Sequence, residues 1–162
     1  MEIGVKIRGL MMDPSNGTPI VILKDINSET MLPIWVGAYE ANAIALEIEK
    51  IAPQRPLTHD LLRNLVTQMG ARVERVVVTE LRDNTFFAVI EMRDSDNGSV
   101  LLDARPSDAI ALALRADCPI YVNEEVIRAS RNTATSNEEE GSSSVDEDEW
   151  PDVIGEAGDL AM

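Results

Sequence analysis

The chain has 162 residues, enough for one domain with a sizeable core and a tail. Its single cysteine, Cys118, rules out an internal disulfide framework and suits a reducing cytoplasm, the expected location. The formal charge of −15 is unevenly spread: residues 131–162 carry ten acidic side chains against one basic, and residues 1–130 keep a net −6, a poor match for a phosphate backbone.

No run of about 18 apolar residues occurs, so no membrane span is expected, and Met1-Glu2-Ile3-Gly4 lacks the basic and apolar regions of a signal peptide. Residues 2–10 alternate Ile3, Val5 and Ile7 with more polar neighbours, the period of a half-buried strand. Asp13-Pro14-Ser15-Asn16-Gly17 is turn chemistry. Strands are predicted over 19–23 and 31–36, with a turn at Asn27-Ser28-Glu29 between them. After Gly37, residues 38–51 are rich in Ala, Leu, Ile and Glu and read as a helix, ended by Pro53 and Pro56. Thr58 is the predicted N-cap of a second helix, 59–69, with Leu61, Leu62, Leu65, Val66 and Met69 on one face. Gly70 closes it in the left-handed position.

Three more strands are predicted at 72–81, 85–93 and 99–103, punctuated by Asp83-Asn84 and Asp96-Asn97-Gly98. The apolar run Val100-Leu101-Leu102 then meets Asp103 and a turn on Arg105-Pro106, from which an alanine- and leucine-rich helix runs to about Ala116. Proline fits the first helical turn, where its missing N–H has no intrahelical partner to lose, and Asp108 faces the positive end of the helix dipole. Residues 119–122 read as a short strand and 124–130 as a last short helix.

The order repeats itself: three strands, a helix and a shorter element, twice. A shift of 68 residues lays Glu40-Ala41-Asn42-Ala43-Ile44-Ala45-Leu46 on Asp108-Ala109-Ile110-Ala111-Leu112-Ala113-Leu114, and Val21-Ile22 on Val89-Ile90. Two related halves are therefore expected, about 1–68 and 69–130, neither closing the sheet alone and both starting their helices at equivalent ends of it. From Arg131 onward, low hydrophobicity and dense like charge predict a disordered acidic tail. Within it, Trp150-Pro151-Asp152-Val153-Ile154 is either residual composition or a docking segment for a partner or the chain's own domain.

There is no phosphate-binding glycine loop, no zinc spacing of Cys and His, and no nucleophile elbow. What the chain offers is Glu40, His59, Asp60, Asp103, Arg105 and Asp108. Each has a structural reading. Glu40 and Asp108 are first-turn carboxylates, worth about 0.3–1 kcal/mol each against a helix dipole. His59 and Asp60 mark an exposed helix start, and Asp103 pairs with Arg105 to close a turn. Each also has a functional reading that requires convergence. Carboxylates with a histidine hold Mg²⁺ or Mn²⁺, and such ions activate water against a phosphodiester. Arg105 grips the phosphate bidentately, and Trp35 either stacks on a base or packs under the first helix.

Four blocks resemble the bifunctional nuclease domain family: Leu32-Pro33-Ile34-Trp35-Val36-Gly37 with Glu40-Ala41, Arg55-Pro56-Leu57-Thr58-His59-Asp60-Leu61, Asp103-Ala104-Arg105-Pro106-Ser107-Asp108-Ala109, and Pro119-Ile120-Tyr121-Val122. They span nearly all of residues 1–130, in order. The resemblance implies a nuclease acting on DNA and RNA, and an α+β fold in which two β(3)α(2) repeats form one wide, barrel-like mixed sheet. It also marks Glu40, Arg55, Thr58, His59, Asp60, Asp103, Arg105, Ser107 and Asp108 as the polar positions of interest. The expected roles are then Glu40, Asp103 and Asp108 on a divalent cation, Mg²⁺ or Mn²⁺. His59 acts as general base or acid held by Asp60, beside Asp103 and Asp108. Arg105 sits on the scissile phosphate, with Arg55, Thr58, Ser107 and Trp35 binding the nucleic acid. The competing expectation is a non-catalytic module. There the same cluster binds a small anion or stabilises the interface of a homo-oligomer, and the tail recruits a protein partner. A third expectation is regulatory: the acidic tail occupies the site as a phosphate mimic.

Overall fold

A computed structural model describes residues 1–138. The elements in order are β1 (Glu2–Met12), β2 (Pro19–Asp25), β3 (Met31–Trp35), α1 (Ala38–Ile48), α2 (Thr58–Gln68), β4 (Arg72–Arg82), β5 (Thr85–Arg93), β6 (Ser99–Ala104), α3 (Pro106–Ala116), β7 (Ile120–Asn123) and α4 (Glu124–Glu138). The strands β1–β3 form one antiparallel meander and β4–β6 another. The second is turned at Asp83-Asn84, whose positive φ values of 51° and 59° make the two-residue type I′ turn that suits a twisted hairpin. Short β7 joins the meanders, antiparallel to β1 and parallel to β4. The strand order is β3-β2-β1-β7-β4-β5-β6, an open mixed sheet with helices packed against it. This is the α+β fold expected. The sheet is wide but not closed, and its edges are β3 and β6.

The halves correspond closely. Ala38–Ile48 and Pro106–Ala116 are α1 and α3, each 11 residues long and separated by the 68-residue shift. The second half departs from the first by placing β7 between its two helices. Alternate residues of the strands point to the helices: Val21, Leu23, Ile34, Val76, Val78, Ala88 and Val122 are almost fully buried against Ile44 of α1, Ile110 of α3 and Val126 of α4. The alanines of α1 and α3 let these helices lie close to the sheet and to each other. Across the two halves, Arg75 of β4 bridges Glu2 of β1 and Glu91 of β5 and lies over the Tyr121 ring at 5.2 Å.

Several boundaries differ from expectation. Helix α1 ends at Ile48, and Lys50 takes a left-handed φ of 57°. Leu57, not Thr58, is the N-cap of α2; its backbone N–H is satisfied by Asp60 Oδ2 at 2.9 Å, so Thr58 is already the first helical residue. Helix α4 runs through residues 131–138, which were expected to be disordered, because no Pro or Gly interrupts it and Val126 and Ile127 anchor its first turns. The rest of the expected tail, with the segment from Trp150 to Ile154, lies outside the described residues. Among the described residues no helix is long and apolar enough to cross a membrane.

Helix α2 faces the opposite way from its hydrophobic pattern. Its buried residue is His59, while Leu61, Leu62, Leu65 and Met69 are exposed. The cause is Arg115 near the end of α3, whose side chain is 3 % exposed. It donates to Asp60 Oδ1 at 2.7 Å, to the Ala111 carbonyl at 2.8 Å and to the Ala43 carbonyl of α1 at 3.0 Å. A buried guanidinium needs a counter-charge, and Asp60 supplies it only when the polar side of α2 turns inward.

Burial works against ionisation of Asp60, but the Leu57 N–H and the hydrogen bond and charge of Arg115 outweigh it and hold its carboxyl below the usual range. The folded value lies below the unfolded one. The contribution is therefore complete above about pH 4 and is lost as pH falls through the folded value. Asp60→Asn is expected to cost about 3 kcal/mol at neutral pH, because it leaves Arg115 without its buried counter-charge. In urea unfolding followed from neutral to acid pH, the gap between the wild type and the variant should narrow below about pH 4. A gap that stays constant down to acid pH would count against this assignment.

Candidate active site

Helices α1 and α3 begin at repeat-equivalent places, and the chemistry gathers there. Gly37 is the N-cap of α1 and Arg105, 68 residues on, is the N-cap of α3. Each helix carries a carboxylate in its first turn, Glu40 in one and Asp108 in the other. Arg105 holds both: Nη2 donates to Glu40 Oε1 at 2.7 Å, and Nε donates to Asp108 Oδ2 at 3.0 Å. The hydrogen bonds to Glu40 and then Asp108 raise the guanidinium further above its already high value. Its side chain stays 65 % exposed, and Nη1 makes no hydrogen bond to a described residue.

From α2, His59 Nε2 meets the other oxygen of Asp108, Oδ1, at 2.9 Å. One carboxylate thus joins the histidine to the arginine. With Nε2 engaged, Nδ1 is the ring nitrogen left without a partner among the described residues. No buried, unpartnered side-chain nitrogen or oxygen occurs among those residues, so Nδ1 keeps contact with solvent. The arrangement can hold an anion at the Arg105 edge and move a proton at the imidazole beside it.

Glu40, His59, Arg105 and Asp108 converge; the other candidates divide. Asp60 does not hold His59, because it is committed to Arg115 near the other end of α3. Asp103 stands apart: it is exposed on β6 opposite Val89, and alternation puts it on the sheet face away from Ala104, which packs into the helix-side core. Ser107 is buried in the first turn of α3. Thr58 and Arg55 are exposed, Arg55 in the connection between α1 and α2. Among the described residues no group of three or more His, Cys, Asp and Glu side chains is placed to hold a metal ion. The expected set of Glu40, Asp103 and Asp108 therefore does not form a ligand cluster. Asp103 is on the wrong face, and a guanidinium sits between the other two.

Trp35 is not packed under α1. It is 52 % exposed at the end of β3, and its indole N–H donates to Asp13 Oδ2 at 3.1 Å. It borders a cleft of about 580 Å³ whose wall also includes Phe86, Arg105 and Ser107. Sequence reasoning missed two contributors. Arg115 could have been noticed as a charge on the buried alanine face, four residues after Ala111. Gly37 carried no such signal: a Cβ there would collide with Glu40 Oε2, so the glycine leaves room for the Glu40 carboxylate to fold back toward Arg105.

Gly37→Ala should therefore push the flexible end of Glu40 aside rather than disturb the backbone. Its stability is expected to stay within about 1 kcal/mol of the wild type. The Arg105 side-chain N–H signals in an NMR spectrum should shift as they do in Glu40→Gln. Unchanged Arg105 signals in Gly37→Ala would show that the glycine has no such role.

The bifunctional nuclease domain family matches residues 21–135, which hold all four converging side chains. An uncharacterized protein of Mycobacterium tuberculosis is 38 % identical over 146 residues, covering 90 % of this chain and 87 % of its own length. The chain is also similar to Bifunctional nuclease 1 of Arabidopsis thaliana, 29 % identical over 134 residues, covering 76 % of this chain and 41 % of the plant protein. With Bifunctional nuclease 1 of Oryza sativa subsp. japonica it shares 28 % identity over 109 residues, 66 % of this chain and 33 % of the relative. The chain thus spans well under half of these plant proteins. Matched from β2 into α4, with both helix starts inside the match, the chain belongs to the bifunctional nuclease domain family.

Proposed function

We propose that the chain is a nuclease of low sequence specificity that hydrolyses phosphodiester bonds in DNA and RNA. The observation that carries this reading is the line His59–Asp108–Arg105, which sets a proton-transfer group and an exposed guanidinium on one carboxylate in a nuclease-domain fold. A phosphodiester docks on the exposed edge of Arg105, where Nη1 and the N-terminal ends of α1 and α3 favour an anion. Asp108 fixes the Nε2 edge of His59. That leaves Nδ1 to take a proton from the attacking water or return one to the leaving oxygen. Trp35, steadied by Asp13, supplies a flat face for an unpaired base in the adjoining cleft.

Among the described residues, three protein ligands for a resident metal do not assemble. Mg²⁺ commonly binds through one or two carboxylates plus substrate phosphates, and Glu40 and Asp108 are the carboxylates that an ion carried by nucleic acid would meet. The net −6 of residues 1–130 repels a polyanion, so screening by such a cation favours binding, whereas low salt lengthens the reach of the repulsion.

A second reading, a non-catalytic module for an anionic ligand, draws on the pairing of Arg105 with two carboxylates already present, a balanced network that needs no chemistry. Purified protein incubated with single-stranded RNA and DNA, in Mg²⁺, Mn²⁺ or EDTA, separates the two. His59→Ala and Arg105→Ala should each lower cleavage by about 10²–10³-fold. Trp35→Ala should chiefly raise KM, because stacking acts on binding. Equal cleavage by the wild type and a His59→Ala, Asp108→Ala double variant would mean a contaminant and end the nuclease reading. Ligand binding that needs Arg105 without any turnover would establish the module.

A further inference from the structure

The cleft beside Trp35 has a wall unlike the rest of this acidic chain. Among the described residues that line it, Arg105 is the one charged side chain, and none is a carboxylate. Two aromatic rings border the same space. Trp35 is fixed by its hydrogen bond to Asp13, and Phe86 is half-buried. A cleft of about 580 Å³ with this wall suits an anionic group and a flat apolar one side by side. A basic peptide would meet only like charge there. Another side of the cleft is helix α4, through Ser130, Thr133 and Ala134. Spaced i, i+3 and i+4, these small residues share one helix face and leave space in front of it. One turn after Ala134 the helix ends at Glu138, so the remaining chain starts from the rim of the cleft.

The 24 residues that follow, 139–162, hold nine acids and no base. Within them Asp146-Glu147-Asp148-Glu149-Trp150-Pro151-Asp152 sets one indole among carboxylates. A nucleotide makes the same pairing of flat ring and negative charge from its base and phosphate. Trp150 is 12 residues beyond Glu138, a length of chain that spans up to about 40 Å and is ample to turn back into the cleft. We propose that residues 146–152 occupy the cleft of their own chain, with Trp150 against Trp35 and Phe86 and a neighbouring carboxylate on the exposed edge of Arg105. Tethering holds the segment at a local concentration on the order of 1 mM, so weak contacts suffice against the net −6 of residues 1–130. The acidic segment then excludes nucleic acid until a strand with several phosphates displaces it. That consequence rests on the nuclease reading; the docking itself does not.

Both parts are read on the full-length chain. In proton–nitrogen NMR spectra, Trp150→Ala should shift the indole N–H of Trp35 and the Nε–H of Arg105. Trp150→Phe, which keeps a ring, should bring both signals most of the way back. Leu160→Ala, beyond the segment, should leave them in place. Isotope-labelled Trp150→Ala chains mixed with unlabelled wild type should keep the variant's signals, because the segment serves its own chain. Exclusion is read by the anisotropy of a fluorescein-labelled oligothymidylate in EDTA, which Trp150→Ala should bind about tenfold more tightly. That variant leaves the charge unchanged, so relief of repulsion cannot produce the gain. Trp35 and Arg105 signals that ignore Trp150→Ala, or that move as far with Leu160→Ala, overturn the docking. Recovery of the wild-type signals in the mixture also overturns it, since the occupant would then come from another chain. Shifted signals with no gain in affinity overturn the exclusion alone. Failure of every variant to bind the oligonucleotide ends the nuclease reading, and the docking then stands or falls on the two NMR signals.

Discussion

The buried pairing of Arg115 with Asp60 sets the orientation of α2, and much of the molecule's character follows from it. A guanidinium 3 % exposed has lost nearly all of its water, and two backbone carbonyls cannot neutralise its charge. Asp60 must come to it. Once Asp60 points inward, His59 one residue before it is carried into the protein and reaches Asp108. The leucines on the far side of the same helix are carried out. Hydrophobic burial of four large side chains, at about 1.5–3 kcal/mol each when complete, yields to avoiding an uncompensated internal charge. The same rotation delivers the histidine to the site and leaves an apolar face outside.

Two halves of similar element order supply the frame in which this happens. Two β-meanders and two 11-residue helices repeat at a fixed interval and place two helix N-termini side by side. Symmetry alone would set two first-turn carboxylates near each other with nothing between them, an unfavourable pair of like charges. The halves differ at the N-cap. Gly37 in one makes room for Glu40, and Arg105 in the other extends a cation that both carboxylates share. The break in symmetry turns a repulsive arrangement into a shared cation beside a histidine.

That edge has to work against the charge of the rest of the chain. Glu40 and Asp108 pull Arg105 into place and at the same time partly satisfy it, so the phosphate of the proposed reading competes with them rather than entering an empty site. In the proposed nuclease reading, net negative charge weakens non-specific attraction to nucleic acid and puts the weight of recognition on local groups: the exposed guanidinium, the helix ends and the Trp35 face. Asp13 keeps that indole oriented, and hydrogen bonds from Ser15 and then Trp35 hold the Asp13 carboxyl below its usual range.

Local chemistry made several things legible in the sequence alone. Alternation in residues 2–10, the Asp83-Asn84 turn, Pro106 at a helix start and the 68-residue shift disclosed the strands, the halves and the crowded junction, because each depends on neighbours close in the chain. The residue types Glu40, His59, Arg105 and Asp108 were likewise readable as candidates. Which of them meet was decided by the tertiary structure. Asp103 lies three residues before Pro106 yet points to the other face of the sheet, since strand alternation overrides proximity along the chain. Asp60 adjoins His59 but serves Arg115, 55 residues later. The apolar stripe of α2 read as an inward face because amphipathicity states that a helix has two sides, not which one the protein keeps. That choice belonged to a buried arginine on another helix, and only packing in three dimensions could make it.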